Sequence, residues 1–110
     1  MREGKTQRLE AKGWRIGTAK EFLGLSDEEA AYVELKLRLA QSLRARRRRR
    51  RMTQVDLAKV VRSSQSRVAK MEAGDPSVSI DLLIRSLLAL GTSARELSRI
   101  IVSARAARAS

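Results

Sequence analysis

A repeated start signal constrains the fold of this chain most strongly, because a hydroxyl side chain precedes each of five stretches in which apolar residues recur at helical spacing. These N-cap candidates are Ser26, Thr53, Ser64, Ser79 and Ser93. The fourth helix could instead open at Asp81. Ser26 with Glu29, and Ser93 with Glu96, also have the spacing of a capping box. The pattern predicts five helices.

The stop signals and the composition favour the same fold. Gly74 with Pro76 ends the third stretch, and Gly91 ends the fourth. Hydrophobic residues make up 43% of the chain and aromatic residues 3%, so the core must be aliphatic. No strand-length alternation is seen, which predicts an all-α fold.

The length of 110 residues suits one small domain. We predict an N-terminal arm or extension over 1–25, a helical domain over 26–104 and a flexible tail over 105–110. Val68 and Met71 are predicted to face the core of this domain.

The chain contains no histidine and no cysteine. This composition excludes thiolate chemistry, zinc fingers and an imidazole base, and no carboxylate pair or phosphate-binding loop replaces them. We therefore expect no enzyme, no metal and no cofactor. Apolar stretches fall far short of the ~18 residues of a membrane span and no signal peptide is apparent, so we expect a soluble cytoplasmic protein with no membrane partner.

Positive charge is concentrated in the middle of the chain. The formal net charge is +12, and residues 44–74 hold 11 Lys or Arg against 2 Asp or Glu. A field concentrated in this way steers a polyanion toward one surface, and we expect the partner to dock there.

Two short helices with a tight turn between them lie inside this basic region. Their most informative residues are Thr53-Gln54, Leu57-Ala58 and Glu72-x-Gly74, followed by a leucine-rich stretch that ends at Gly91. Over about residues 35–102 the chain resembles the Cro/CI-like (XRE) family of helix-turn-helix DNA-binding domains. The resemblance implies a five-helix, lambda-repressor-like fold and a double-stranded DNA partner.

The resemblance also implies roles for individual residues. It places Gln65, Ser66 and Lys70 at base edges, and Arg67 at a base or a phosphate. It places Gln54 and Ser64 at phosphates, and it implies an internal ion pair between Arg47 and Glu72. Two positions depart from the family: Arg62 and Arg51 stand where glycine is usual, so Arg62 either absorbs strain or the turn differs.

Six consecutive arginines, Arg46 to Arg51, admit three interpretations. They can be a solvated helix end, a phosphate-contacting patch beside the recognition unit, or an arginine-rich RNA-binding or targeting segment. The second interpretation predicts phosphate contacts from Arg46, Arg48 and Arg51.

One such unit reads a half-site, so the favoured function is a sequence-specific repressor acting as a homodimer. The fifth helix carries surplus apolar surface at Leu97, Ile100, Ile101 and Val102. This surface predicts a dimer interface at Leu97, Ile100 and Ile101. The segment from Gly13 to Ser26 resembles the N-terminal extension of HigA-type antitoxins. The alternative is therefore an antitoxin that binds a small ribonuclease-type toxin and represses its own operon.

Overall fold

The computed structural model describes residues 24–109. Its internal contacts divide the chain into a unit of residues 1–34 and a unit of residues 35–110. The antitoxin-like extension that begins at Gly13 lies outside the described residues as far as residue 23. In the first unit, Ser26 forms its predicted capping box: its hydroxyl accepts from the Glu29 amide at 3.1 Å, and the Glu29 carboxylate accepts from the Ser26 amide at 2.9 Å.

Within residues 24–109 the regular secondary structure consists of helices joined by turns and short loops, which confirms the all-α prediction. The five helices are α1 Asp27–Arg49, α2 Gln54–Val60, α3 Gln65–Ala73, α4 Ile80–Ala89 and α5 Ala94–Ala109. Helix α5 includes most of the segment 105–110 that was predicted as a flexible tail, and the alanine-rich sequence there has high helix propensity. None of these helices is long and apolar enough to cross a membrane.

The predicted start signals are confirmed by hydrogen bonds at the helix N-termini. Ser64 accepts from the amide of Arg67 at 3.2 Å, and Ser79, rather than Asp81, accepts from the amide of Leu82 at 3.1 Å. Each serine thereby satisfies an amide that has no partner within its own helix.

Helices α2 and α5 start with complete capping boxes. The Thr53 hydroxyl accepts from the Asp56 amide at 3.0 Å, while the Asp56 carboxylate accepts from the Thr53 amide at 2.8 Å. Ser93 and Glu96 make the equivalent pair of bonds at 3.1 and 3.0 Å. The bond from the Thr53 amide lowers the pKa of Asp56, because it stabilises the ionised carboxylate.

The core is aliphatic, as the composition predicts. Its largest fully buried side chains are Leu39, Leu43, Leu57, Val68, Met71, Leu83, Leu87 and Leu90. These residues come from α1, α2, α3, α4 and the residue after α4, so one core holds both short helices against the long one. The inward orientation predicted for Val68 and Met71 is confirmed, since both are 0% exposed.

Two contacts from α1 hold the C-terminal end of α3. Gly74 has a φ of 70°, and a Cβ on it would lie 2.8 Å from Cδ2 of Leu37. Lys36 is buried and donates to the carbonyl oxygen of Pro76 at 3.1 Å. Glycine is therefore required at position 74 by its backbone conformation and by this close approach.

Candidate nucleic-acid interface

The turn between α2 and α3 contains a strained residue. Arg62 has a φ of 56°, in the left-handed region that costs a non-glycine residue about 1–2 kcal/mol. The turn is closed by the Ser63 amide, which donates to the Ala58 carbonyl at 2.8 Å. Of the two alternatives left by the sequence, the structure has Arg62 in the left-handed conformation. Arg51, before α2, has a similar φ of 57°.

Helix α3 turns its polar side chains outward. Gln65, Ser66, Arg67 and Lys70 are all exposed. They occupy the N-terminal two thirds of the helix, opposite the face that is buried in the core. The residues predicted to read bases are thus accessible together on one surface.

Beneath this surface lies a nearly buried ion pair. Arg47 of α1 donates from Nε to Oε2 of Glu72 at 2.5 Å and from Nη2 to Oε1 at 3.0 Å. Its Nη1 also donates to the carbonyl oxygen of Met52 at 2.7 Å. The side chains of Arg47 and Glu72 are 12% and 4% exposed. The bonds to Glu72 raise the pKa of Arg47, because they stabilise the charged guanidinium.

The ion pair is linked to the first residue of α3 through a second glutamine. Nε2 of Gln54 donates to Oε1 of Glu72 at 3.2 Å, and Oε1 of Gln54 accepts from Nε2 of Gln65 at 2.8 Å. The resulting network connects α1, α2 and α3 through Arg47, Glu72, Gln54 and Gln65. It orients the Gln65 amide, leaving its oxygen available on the exposed surface.

The N-terminus of α3 carries two serine hydroxyls close together. The Ser64 and Ser66 hydroxyl oxygens are 3.3 Å apart, and Ser64 also caps the helix. Both residues are exposed. This end of the helix therefore presents hydroxyl and amide groups, which bind phosphate oxygens well.

The arginine run divides into residues held by the protein and residues facing solvent. Nη2 of Arg46 donates to Oε2 of Glu96 at 2.7 Å, while Arg47 is held by Glu72. The Arg50 guanidinium lies near Gly91, where an added Cβ would be 3.3 Å from Nη2. Arg48, Arg49 and Arg51 are exposed, and no carboxylate of the described residues pairs with them.

The three residues predicted for a dimer interface differ in environment. Leu97 and Ile100 are half-buried and pack against the domain's own core. Ile101 is 43% exposed, and the neighbouring Val102 is 63% exposed. The exposed apolar surface of α5 therefore centres on Ile101 and Val102. Val102 belongs to the apolar surface from which the interface was predicted, although the interface itself was assigned to the other three residues.

Sequence reasoning missed two further contacts. It did not find the bond from Lys36 to Pro76, or the partner of Arg46, which lies 50 residues away. No local sequence pattern predicts either contact, because each depends on how distant segments of the chain pack together.

Two helices joined by a closed turn, with the second presenting its polar N-terminal end, form a helix-turn-helix unit. Comparison with known families matches the XRE-like helix-turn-helix family over residues 43–100. The match covers more than half of the chain, and the chain therefore belongs to this family of DNA-binding regulators. Searches among curated proteins and solved structures gave no match.

Proposed function

We propose that the protein is a cytoplasmic, sequence-specific repressor that binds duplex DNA as a homodimer. The observation that carries the proposal is the shared exposure of Gln65, Ser66, Arg67 and Lys70 on the outer face of α3. A major groove admits a helix of this size, and these side chains match the hydrogen-bonding groups at its base edges. The family of the chain supports the same function.

Gln65 is the central base-reading residue in this proposal. A glutamine amide pairs bidentately with adenine. The hydrogen bond from Gln65 to Gln54 already restricts the Gln65 side chain, so less conformational entropy is lost when it binds a base. Ser66 and Lys70 lie on the same exposed face, and Arg67 reaches either a base or a phosphate.

The phosphate contacts in this proposal come from three exposed side chains and from half-buried Gln54. We assign them to Ser64, Arg48, Arg51 and the free amide hydrogen of Gln54. Arg46 was predicted among them, but its guanidinium is bonded to Glu96. The proposal therefore places most of the phosphate binding on Arg48 and Arg51.

The test compares Gln65→Ala with Arg48→Ala on pools of random duplexes at two salt concentrations. We expect Gln65→Ala to relax base preference at one position, at a cost of about 1–3 kcal/mol of discrimination. Arg48→Ala should weaken all sequences alike and flatten the salt slope by about one. Identical behaviour of the two variants would refute this division of roles.

Each helix-turn-helix unit reads one half-site, so a homodimer reads two half-sites related by two-fold symmetry. Exposed Ile101 supports α5 as the interface, and Leu97 and Ile100 beside it would extend the contact from their half-buried positions. Ile101→Arg should shift the protein toward the monomer in sedimentation and weaken operator binding. Unchanged sedimentation and operator affinity would remove α5 from the interface.

An antitoxin is the second candidate, and it is compatible with the first. It is supported by the resemblance of residues 13–26 to the extension of HigA-type antitoxins. Deleting residues 1–24 should abolish capture of a small ribonuclease-type toxin encoded by the adjacent gene while leaving DNA binding intact. Retained capture by the truncated protein would contradict this role for the extension.

A further inference from the structure

A groove between α1 and α5 takes no part in the base and phosphate contacts proposed above, and of its lining residues Ile100 also belongs to the proposed dimer interface. Its volume is about 410 Å³, within the usual range for ligand-binding sites. Three arginines line it, Arg38, Arg46 and Arg99, and the carboxylate among its lining residues is that of Glu96. The groove is therefore built mainly from cationic and polar side chains.

The groove is lined by three arginines and one carboxylate, so its positive charge is not neutralised by its own residues. Glu96 already accepts from Arg46 at 2.7 Å and from the Ser93 amide at 3.0 Å. Arg38 and Arg99 form no ion pair with any residue that the structure describes, and Arg38 is half-buried. Two guanidinium groups thus have donors available for an anionic partner.

The groove lies on a different flank of α1 from the recognition helix. Successive residues of a helix are about 100° apart, and Arg46 contacts α5 while its neighbour Arg47 contacts α3. Arg38 and Ser42 precede Arg46 at intervals of four residues, so the three form one stripe on the α5 side. A duplex seated on α3 would leave this stripe accessible.

We propose that the groove binds an acidic segment of a partner protein, whose Asp or Glu side chains pair with Arg38 and Arg99. The planar guanidinium group binds carboxylates bidentately, and clusters of arginine are a common way to recognise acidic motifs. The rise from Arg38 to Arg46 is about 12 Å, which an extended segment of about four residues spans.

The shape and charge of the site favour such a segment over other occupants. Gln41, Arg99 and Ser103 are exposed, so the groove is an open trough that suits a stretch of chain. The chain's own residues 1–23 hold six Lys or Arg against three Glu, and a second copy carries a net charge of +12. The consecutive acids of a second copy, Asp27 to Glu29, lie in the first turn of α1 and therefore do not form an extended segment.

The test is an NMR titration of the full-length, ¹⁵N-labelled protein with a glutamate peptide of about eight residues at about 0.15 M salt. We expect saturable shifts of the Ser42, Ile100 and Ser103 amides, with little change in α3. The double variant Arg38→Glu/Arg99→Glu should bind the peptide about tenfold more weakly or worse. Arg44→Glu/Arg95→Glu is the matched control, since it reverses the same amount of charge at two exposed arginines of α1 and α5 outside the groove, and it should change the affinity less than about twofold.

The same variants are assayed on duplex DNA, so failure of the groove and failure of DNA binding can be told apart. We expect Arg38→Glu/Arg99→Glu to keep its DNA affinity within about twofold. If the charge reversal prevents folding, the neutral double variant Arg38→Gln/Arg99→Gln tests the groove instead. This variant should also bind the peptide more weakly.

Several outcomes would overturn the proposal. Peptide shifts centred on α3, or equal losses from Arg44→Glu/Arg95→Glu and Arg38→Glu/Arg99→Glu, would show that only net charge attracts the peptide. A matching loss of DNA affinity in Arg38→Glu/Arg99→Glu would make the groove a phosphate contact. Saturation of the same amides by inorganic phosphate at equal or lower concentration would make it a small-anion site.

Discussion

The two flanks of α1 use neighbouring arginines in opposite ways. Arg47 pairs with Glu72 where the side chains are 12% and 4% exposed, whereas Arg46 pairs with Glu96 where they are 20% and 37% exposed. The distances are similar, at 2.5 and 2.7 Å. The pairs differ in burial and in the number of bonds, since Arg47 binds both oxygens of Glu72 and Arg46 binds one oxygen of Glu96. Burial sets the cost of losing the partner: a buried charge left unpaired is costly, while an exposed one is solvated by water.

The largest effect is expected from Glu72→Ala on the buried flank. This substitution leaves the Arg47 guanidinium nearly buried without its carboxylate and also removes the acceptor of Gln54. We expect a loss of about 3 kcal/mol in the free energy of unfolding, measured by urea denaturation.

The double variant Arg47→Met/Glu72→Leu is the control for that loss. It removes both charges and replaces them with apolar side chains, so it should recover most of the stability. If the double variant were as unstable as Glu72→Ala, burial of an unpaired charge would not be the cause.

Gly74→Ala tests how the backbone conformation after α3 contributes to stability on the buried flank of α1. The added methyl group would meet Cδ2 of Leu37 at 2.8 Å, and alanine would have to keep a left-handed conformation. We expect a loss of about 2 kcal/mol by thermal or urea denaturation. Gly24→Ala is a useful control, because Gly24 has a similar φ of 67° and no atom of the described residues lies within 4 Å of the added Cβ. Equal losses would assign the whole effect to the backbone conformation.

Arg62→Gly is expected to act in the opposite direction. Glycine relieves the left-handed strain of the α2–α3 turn but loses more conformational entropy on folding, so the net gain should be up to about 1 kcal/mol. The measurement is again urea denaturation. A loss of stability would mean that the Arg62 side chain contributes more than its backbone conformation costs.

The exposed flank should show the smallest effect, visible in the dependence of stability on pH. Hydrogen bonds from the Ser93 amide and Arg46 lower the pKa of Glu96 to about 2. Since this pKa is below that of an unfolded glutamate, the stabilisation is complete above about pH 4.5 and is lost as the pH falls toward 2.

Glu96→Gln should therefore flatten the fall in stability between about pH 4.5 and 2, measured by urea denaturation at several pH values. Part of the slope should remain, because hydrogen bonds also lower the pKa of Asp56 and Asp75. An unchanged slope in the variant would show that Glu96 is not a main source of acid sensitivity.

The helices were predictable because their signals are local. Each cap joins a side chain to an amide three residues away, as at Ser64 and Ser79, and such a contact forms whenever the helix forms. The positions of the core followed from helical periodicity, which places Val68 and Met71 on one face whatever they pack against. The C-terminal end of the last helix differed from the prediction, because α5 extends to Ala109 through an alanine-rich sequence of high helix propensity.

The exposure of the candidate DNA-binding residues on one helix face could be predicted from the sequence. The hydrogen bonds that link them to other helices could not. Exposure of Gln65 and Lys70 follows from their place on α3 opposite the buried face. The links from Gln65 to Gln54 and from Gln54 to Glu72 join residues 11 and 18 positions apart. Such contacts exist only after α2 and α3 have packed together.

The sequence by itself determined the helical class of the protein, the ends of most helices and the position of its positive charge, since these depend on near neighbours in the chain. Only the tertiary structure decided which of six adjacent arginines serve the fold and which face solvent. The physical reason is that the two arginines paired with carboxylates gain those partners from other helices, as Glu72 of α3 meets Arg47 and Glu96 of α5 meets Arg46.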